Sequence, residues 1–171
     1  GKDVKCEDYL SDHAKQEFRE VNTQGYRTKH HQLTYGGMGC FLSHYGLAKQ
    51  LVDEPDDVQY IIFEDDTEII KPIDFKFEDI VKKDLDVFWL MPKQSSILCY
   101  VVWPAGAKKL IKCVDKKGGL IKGLDDMWHI IKDTGYLREE SLSDEYFTQR
   151  MGAPDSDITS LLDYQISKEL L

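Results

Sequence analysis

The chain has 171 residues, of which 42% are hydrophobic and 31% charged, and its formal net charge is -9. That length suits one domain over residues 1–171 with a single core, and the balance is that of a globular rather than a disordered chain. A surface this acidic repels phosphate backbones and anionic headgroups, which argues against nucleic acid and membrane as default partners; a divalent cation can still bridge carboxylates to a diphosphate.

Cys6, Cys40, Cys99 and Cys113 stand far apart with no Cys-x-x-Cys pair. Their spacing suggests no zinc motif, and a reducing compartment is a simpler reading than a disulfide framework. Cys99 and Cys113 lie in apolar runs, where a free cysteine behaves as a small buried hydrophobe. No signal-peptide pattern opens the chain, and no apolar run reaches membrane-spanning length. The expected location is cytoplasmic, with peripheral membrane association left open. The lysine-, aspartate- and isoleucine-rich style fits an AT-rich bacterial or viral genome.

Residues up to about 33 are polar, with a short helix expected around Tyr9 to Val21. The pair His30-His31 reads as part of a solvated loop, since adjacent histidines cannot share a helix face. Tyr35-Gly36-Gly37-Met38-Gly39 reads as a glycine-rich turn leading into a helix from Cys40 to Val52, with Phe41, Tyr45, Ala48 and Val52 at helical spacing. Pro55 follows as a breaker. Val58 to Phe63 is a β-branched and aromatic run, which predicts a strand covered on both faces inside a parallel or mixed sheet.

A short helix is expected over 74–84, then strands over Asp86 to Met91 and Ile97 to Trp103. Pro104-Ala105-Gly106 opens a helix running through Val114 and stopped by Gly118-Gly119. Leu124 to Thr134 forms a further helix closed by Gly135. Tyr146 to Met151 reads as a short strand, and the tail from Ser156 as helical. This order indicates an α/β domain with a mixed sheet flanked by helices.

Glu64-Asp65-Asp66 directly follows the strand ending at Phe63. Three adjacent carboxylates raise one another's pKa unless a cation compensates them. At the carboxyl edge of an α/β sheet they would face the crevice where ligands bind. On an extended backbone the first and third project to the same side, which would suit Mn²⁺ or Mg²⁺ gripping a diphosphate. A solvated acidic loop is the plainer alternative. The glycines Gly36, Gly37 and Gly39 carry the same ambiguity: a phosphate-approaching backbone, or a plain turn with a glycine cap. They lack the lysine of a P-loop and the preceding strand of a Rossmann fingerprint. His44 reads more simply as a packed, hydrogen-bonded histidine than as a ligand.

The block Gly36-Gly37-Met38-Gly39-Cys40-Phe41-Leu42-Ser43-His44, with Tyr60-Ile61-Ile62-Phe63-Glu64-Asp65-Asp66 about twenty residues later, resembles glycosyltransferase family 25. That family includes bacterial lipooligosaccharide galactosyltransferases and procollagen galactosyltransferases. Its pattern is Gly-Glu-x-Gly-Cys-x-x-Ser-His, then a strand ending in Glu-Asp-Asp. Tyr100 to Leu110, Leu124-Asp125-Asp126-Met127-Trp128 and Pro154-Asp155-Ser156-Asp157-Ile158 are similar to later family segments, and Gly1-Lys2-Asp3 to a stretch entered midway. Gly37 stands where the family has glutamate, which removes a polar contact from the site. The family's opening strand and arginine-bearing helix have no counterpart here, so a GT-A-type fold incomplete at its N-terminus is expected.

The resemblance implies a hexosyltransferase, most simply a galactosyltransferase, that moves sugar from a UDP-sugar to a glycan or protein hydroxyl, with metal assistance and inversion. It implies Glu64 and Asp66 as metal ligands. Gly39, Ser43, His44, Asp65, Ser156 and Asp157 become donor-binding residues. Asp125 becomes the base and Asp126 its close second, although a helix-capping role suits Asp126. The rival reading is a non-catalytic module that kept the sheet and the triplet for recognition or assembly. A metal-dependent phosphoesterase is weaker, because no second His/Asp group supplies a two-metal site.

Overall fold

The computed structural model describes residues 5–25, 32–92 and 98–150. Its six strands are β1 (Tyr60–Phe63), β2 (Thr67–Ile69), β3 (Val87–Trp89), β4 (Cys99–Val102), β5 (Glu139–Ser141) and β6 (Phe147–Gln149). Four of them form the main sheet in the order β1-β4-β3-β5, and β2 pairs with β6 in a separate ribbon. β4 runs antiparallel to both of its neighbours, while β3 and β5 are parallel, so the main sheet is mixed.

The register determines what each face buries. Ile62 lies opposite Tyr100, and Tyr100 opposite Trp89, while Val102 faces Tyr60 and Val87. Side chains alternate along a strand, so these residues share one face. That face carries the larger core, to which α1 (Asp12–Gln24), α2 (Tyr35–Leu51), α4 (Pro104–Lys116) and α5 (Leu124–Asp133) contribute their apolar stripes. Phe88, Cys99 and Val101 point the other way, into a smaller core with Ile80 of α3 (Phe77–Val81) and with Tyr146 and Phe147. A mixed sheet flanked by helices is the architecture expected of an α/β chain.

Several expectations change in detail. Among the described residues β1 forms one end of the main sheet instead of lying inside it, and its second face is only partly covered: Ile61 is 43% and Phe63 45% exposed. A β-branched run gives the strand but not its neighbours. The first helix is shifted to Asp12–Gln24, because the Ser11 hydroxyl accepts from Ala14 N–H and sets its start, after a short 3-10 turn at Cys6–Tyr9. The helix expected over 74–84 shrinks to Phe77–Val81, which buries only Ile80. The segments expected to carry β3, β4, α4, α5 and β6 do so; the three strands are trimmed at both ends, α5 stops at Asp133, and α4 runs on past Val114 to Lys116. β2 and β5 are three-residue, largely exposed strands with no apolar alternation to announce them. The tail from Ser156 and the pair His30-His31 lie outside the described residues. None of the four cysteines forms a disulfide; Cys99 is buried, and Cys113 is half-buried.

One buried charge locks the helical layer to the sheet. Asp86, just before β3, is fully buried; its carboxylate accepts from Lys109 and from the Arg138 backbone and guanidinium, and its carbonyl accepts from Trp103 N–H. Burial alone would raise its pKa, but these cationic and amide donors outweigh it and hold the group below the usual carboxylate value. Gly106, in the first turn of α4, lies directly against the Asp86 carbonyl. Among the described residues, no helix is long and apolar enough to cross a membrane.

Candidate functional site at the end of β1

Glu64 extends β1 by one step, its N–H donating to the Leu98 carbonyl at 2.9 Å. Two residues beyond Ile62, it falls on the face covered by α2. The chain then turns immediately, with Thr67 N–H donating to the Glu64 carbonyl at 3.1 Å, and β2 begins. Asp65 and Asp66 are therefore turn residues. The extended backbone expected through Glu64-Asp65-Asp66 is replaced by a turn, because the strand pairing ends at Glu64.

The glycine-rich segment is not a turn before a helix. It is the start of α2, capped by Thr34, whose hydroxyl accepts from Gly37 N–H at 3.1 Å. Tyr35 N–H is taken by the Asn22 side chain. Gly39 is the fifth helical residue, where an N–H is committed to the helix itself, so its backbone is not a phosphate cradle. The Ser43 hydroxyl donates to the Gly39 carbonyl at 3.0 Å, and both residues are exposed.

One helical turn separates Cys40 from His44, so both project from the same face of α2. That face meets Glu64. His44 Nε2 lies 3.4 Å from Glu64 Oε1, and the Cys40 thiol donates to the same oxygen at 3.4 Å. On its other side, His44 Nδ1 lies 2.7 Å from the Tyr100 hydroxyl, which is buried on β4. His44 is thus buried and hydrogen-bonded, as the simpler reading expected, but its partner is the first residue of the acidic triplet.

The electrostatics show what else converges here. Burial first, and then the charges of Glu64, Asp125 and Asp66, push the Cys40 thiol well above its ordinary pKa. Tyr100 is likewise raised, by burial and then by Cys40, Glu64 and Asp125. Burial would raise Glu64 too, but its hydrogen bonds and charge attraction to His44, together with the Cys40 thiol, outweigh that and lower it. Three carboxylates from two distant segments therefore act on a single thiol.

Asp66 is half-buried. Its Oδ2 accepts from Gln149 Nε2 at 2.6 Å, while its Oδ1 is buried and accepts no hydrogen bond from the described residues. Arg150 fastens the turn from outside, its N–H donating to the Asp66 carbonyl at 2.8 Å and its guanidinium to the Asp65 carbonyl at 3.2 Å. The Asp65 side chain is exposed.

Asp125 and Asp126 stand in the first turn of α5, whose cap is Gly123, so neither aspartate is the N-cap. Asp125 is exposed and Asp126 half-buried. Ser156 and Asp157 lie outside the described residues.

Sequence reasoning missed Cys40, Tyr100 and Gln149 as members of this corner. The i, i+4 spacing of Cys40 and His44 is a readable signal. Tyr100 and Gln149 join only through strand pairing, which no local pattern announces.

Residues 7–85 match the family model for glycosyltransferase family 25 (LPS biosynthesis protein). The matched stretch contains α2, β1 and the acidic turn, and ends before β3; Asp125 lies beyond it. No curated protein and no solved structure matches the chain.

Proposed function

We propose, from the match of residues 7–85 to the glycosyltransferase family 25 model, that this chain transfers a hexose, galactose by family resemblance, from a UDP-sugar to a hydroxyl of a glycan or protein acceptor. The observation that carries the reading is the buried Asp66 Oδ1, which has no hydrogen-bond partner among the described residues and lies in the turn that directly follows Glu64. Carboxylates gathered around a half-buried point repel one another unless a cation joins them.

The donor set suits Mn²⁺ or Mg²⁺ held by Glu64 and Asp66. The buried, unpaired Asp66 Oδ1 is an orphan of the kind that a cation satisfies. Two carboxylates suffice, because such ions take their remaining ligands from water and substrate phosphates. When bound, the ion would offset the charge that builds on the departing diphosphate.

The acceptor oxygen attacks the anomeric carbon as the bond to the diphosphate oxygen breaks, and that bond's electron pair leaves with the UDP. Attack from the opposite side inverts the centre. The acceptor proton passes to the Asp125 carboxylate, whose exposure lets a bulky acceptor reach it. His44, fixed by Tyr100, stands 3.4 Å from Glu64 and positions its carboxylate. Gln149 and Arg150 brace the turn that carries Asp66.

Calorimetry of UDP-hexoses with and without Mn²⁺ tests this reading. Binding that requires the metal and is lost in Asp66→Ala supports it; Asp125→Asn should bind donor and fail to transfer. Metal-dependent donor binding with no turnover toward any glycan or protein acceptor would favour a non-catalytic recognition module. Absence of donor binding refutes both.

A further inference from the structure

The three side chains that meet at the end of β1 form a chemically different set from the two hard carboxylates assigned to the donor. Cys40, His44 and Glu64 each offer one ligand atom, and these atoms lie within 4.8 Å of one another. A thiol, an imidazole and a carboxylate are the mixed set preferred by borderline cations. We propose that Cys40 Sγ, His44 Nε2 and Glu64 Oε1 bind a zinc ion, with a fourth position open to water. The site shares Glu64 with the proposed donor corner, rests otherwise on Cys40 and His44, and belongs to no motif expected from the spacing of the cysteines.

Tetrahedral zinc, with bonds of about 2.3 Å to sulfur and about 2.0 Å to nitrogen and oxygen, places its N and O ligands roughly 3.3 Å apart and its S and O ligands roughly 3.5 Å apart. The observed separations are 3.4 Å from His44 Nε2 to Glu64 Oε1 and 3.4 Å from Cys40 Sγ to Glu64 Oε1. Both separations match coordination spacing, and the Cys40 and His44 ligand atoms lie within 4.8 Å of each other.

The histidine is also oriented as a metal ligand. Its Nδ1 is held by the buried Tyr100 hydroxyl at 2.7 Å, and the tautomer protonated there directs the Nε2 lone pair toward Glu64 and Cys40. Rigid elements carry all four groups: Cys40 and His44 on α2, Tyr100 on β4, and Glu64 immediately after β1. Zinc would displace the thiol proton to solvent and pin the helix to the sheet corner.

The test uses the full chain, reduced and metal-free, titrated with Co²⁺ as a spectroscopic stand-in for Zn²⁺. One equivalent should produce a thiolate-to-cobalt charge-transfer band that Zn²⁺ abolishes. The band should vanish in Cys40→Ser and persist in Cys113→Ser. Tyr100→Phe should weaken zinc binding about 10- to 100-fold, the loss typical of an outer-shell partner.

Alkylation mapped by mass spectrometry on the unmutated chain gives a second readout that survives any folding defect in the variants: Zn²⁺ should protect Cys40 selectively. Absence of the band, its persistence in Cys40→Ser, or unchanged alkylation of Cys40 with Zn²⁺ would overturn the site. Asp66→Asn separates the two proposals. It should retain the cobalt band while losing Mn²⁺-dependent UDP-hexose binding. If the band fails and donor binding stands, only the zinc site falls; the reverse result removes only the transferase reading.

Discussion

Replacing Gly106 with alanine should destabilise the protein severely. A Cβ built there would stand 2.1 Å from the Asp86 carbonyl oxygen, 2.8 Å from its carbon and 3.2 Å from its Cα. The obstacle is backbone, so no rotamer change relieves it. The backbone cannot withdraw easily either, because the Asp86 carbonyl accepts from Trp103 and its carboxylate is tied to Lys109 and Arg138. The cost belongs at or above the top of the overpacking range, about 3 kcal/mol. At about 2–4 °C per kcal/mol for a chain of this size, Tm should fall by roughly 6–12 °C. Gly46→Ala is the matched control: Gly46 sits inside α2 with nothing within 4 Å of its Cβ position, so the same change should stabilise by about 1 kcal/mol. Urea unfolding of both variants reads the difference. A Gly106→Ala protein within about 1 kcal/mol of the parent would refute the close approach of α4 to β3.

Three further outcomes follow from named contacts. Gly37→Glu should gain about 1 kcal/mol in urea unfolding, because Gly37 is the third residue of α2 and glutamate there completes a capping box with Thr34; no gain would mean that the box does not form. Tyr100→Phe should cost the metal-free protein about 1–3 kcal/mol by stripping His44 Nδ1 of its buried partner, and an unchanged urea midpoint would show that the bond contributes nothing. Glu64 and Asp86 are both held below the usual carboxylate range in the folded protein, so the unfolded chain takes up protons first on acidification. Their contribution is complete above the unfolded values and lost as pH falls through the folded ones. Stability should therefore drop across that acidic window, and the drop should flatten in Glu64→Gln and Asp86→Asn when unfolding is followed from about pH 6 to 3.

The fold was legible where apolar periodicity was strong. The stripe Phe41, Tyr45, Ala48 places α2, and Ala107, Leu110, Val114 places α4, because each helix buries one face against a single core. The β-branched run before Glu64 gave the strand but not its place at the end of the sheet, since pairing partners lie some forty residues away. β2 and β5 are stabilised by ladder bonds to other segments and not by their own composition, so nothing local marks them. The glycines before Cys40 misled for a physical reason. Low helix propensity suggested a turn, but the Thr34 cap and the buried Met38 and Phe41 supply what the glycines lack.

The same distinction explains the site. A helical period puts Cys40 beside His44, and a strand period puts Glu64 on the face of Ile62, so each half could be read locally. What could not be read is that α2 lies across that face of β1, and that the Ile62–Tyr100 register brings a hydroxyl beneath the imidazole. Glu64 consequently has two claims on it. As the first member of an acidic turn it belongs to the donor corner; as the partner of Cys40 and His44 it belongs to a thiol-containing pocket. Asp66 is not among the Cys40–His44–Glu64 ligand atoms and has a buried oxygen without a partner, which is why substitution at Asp66, and not at Glu64, separates the chemistry of the two.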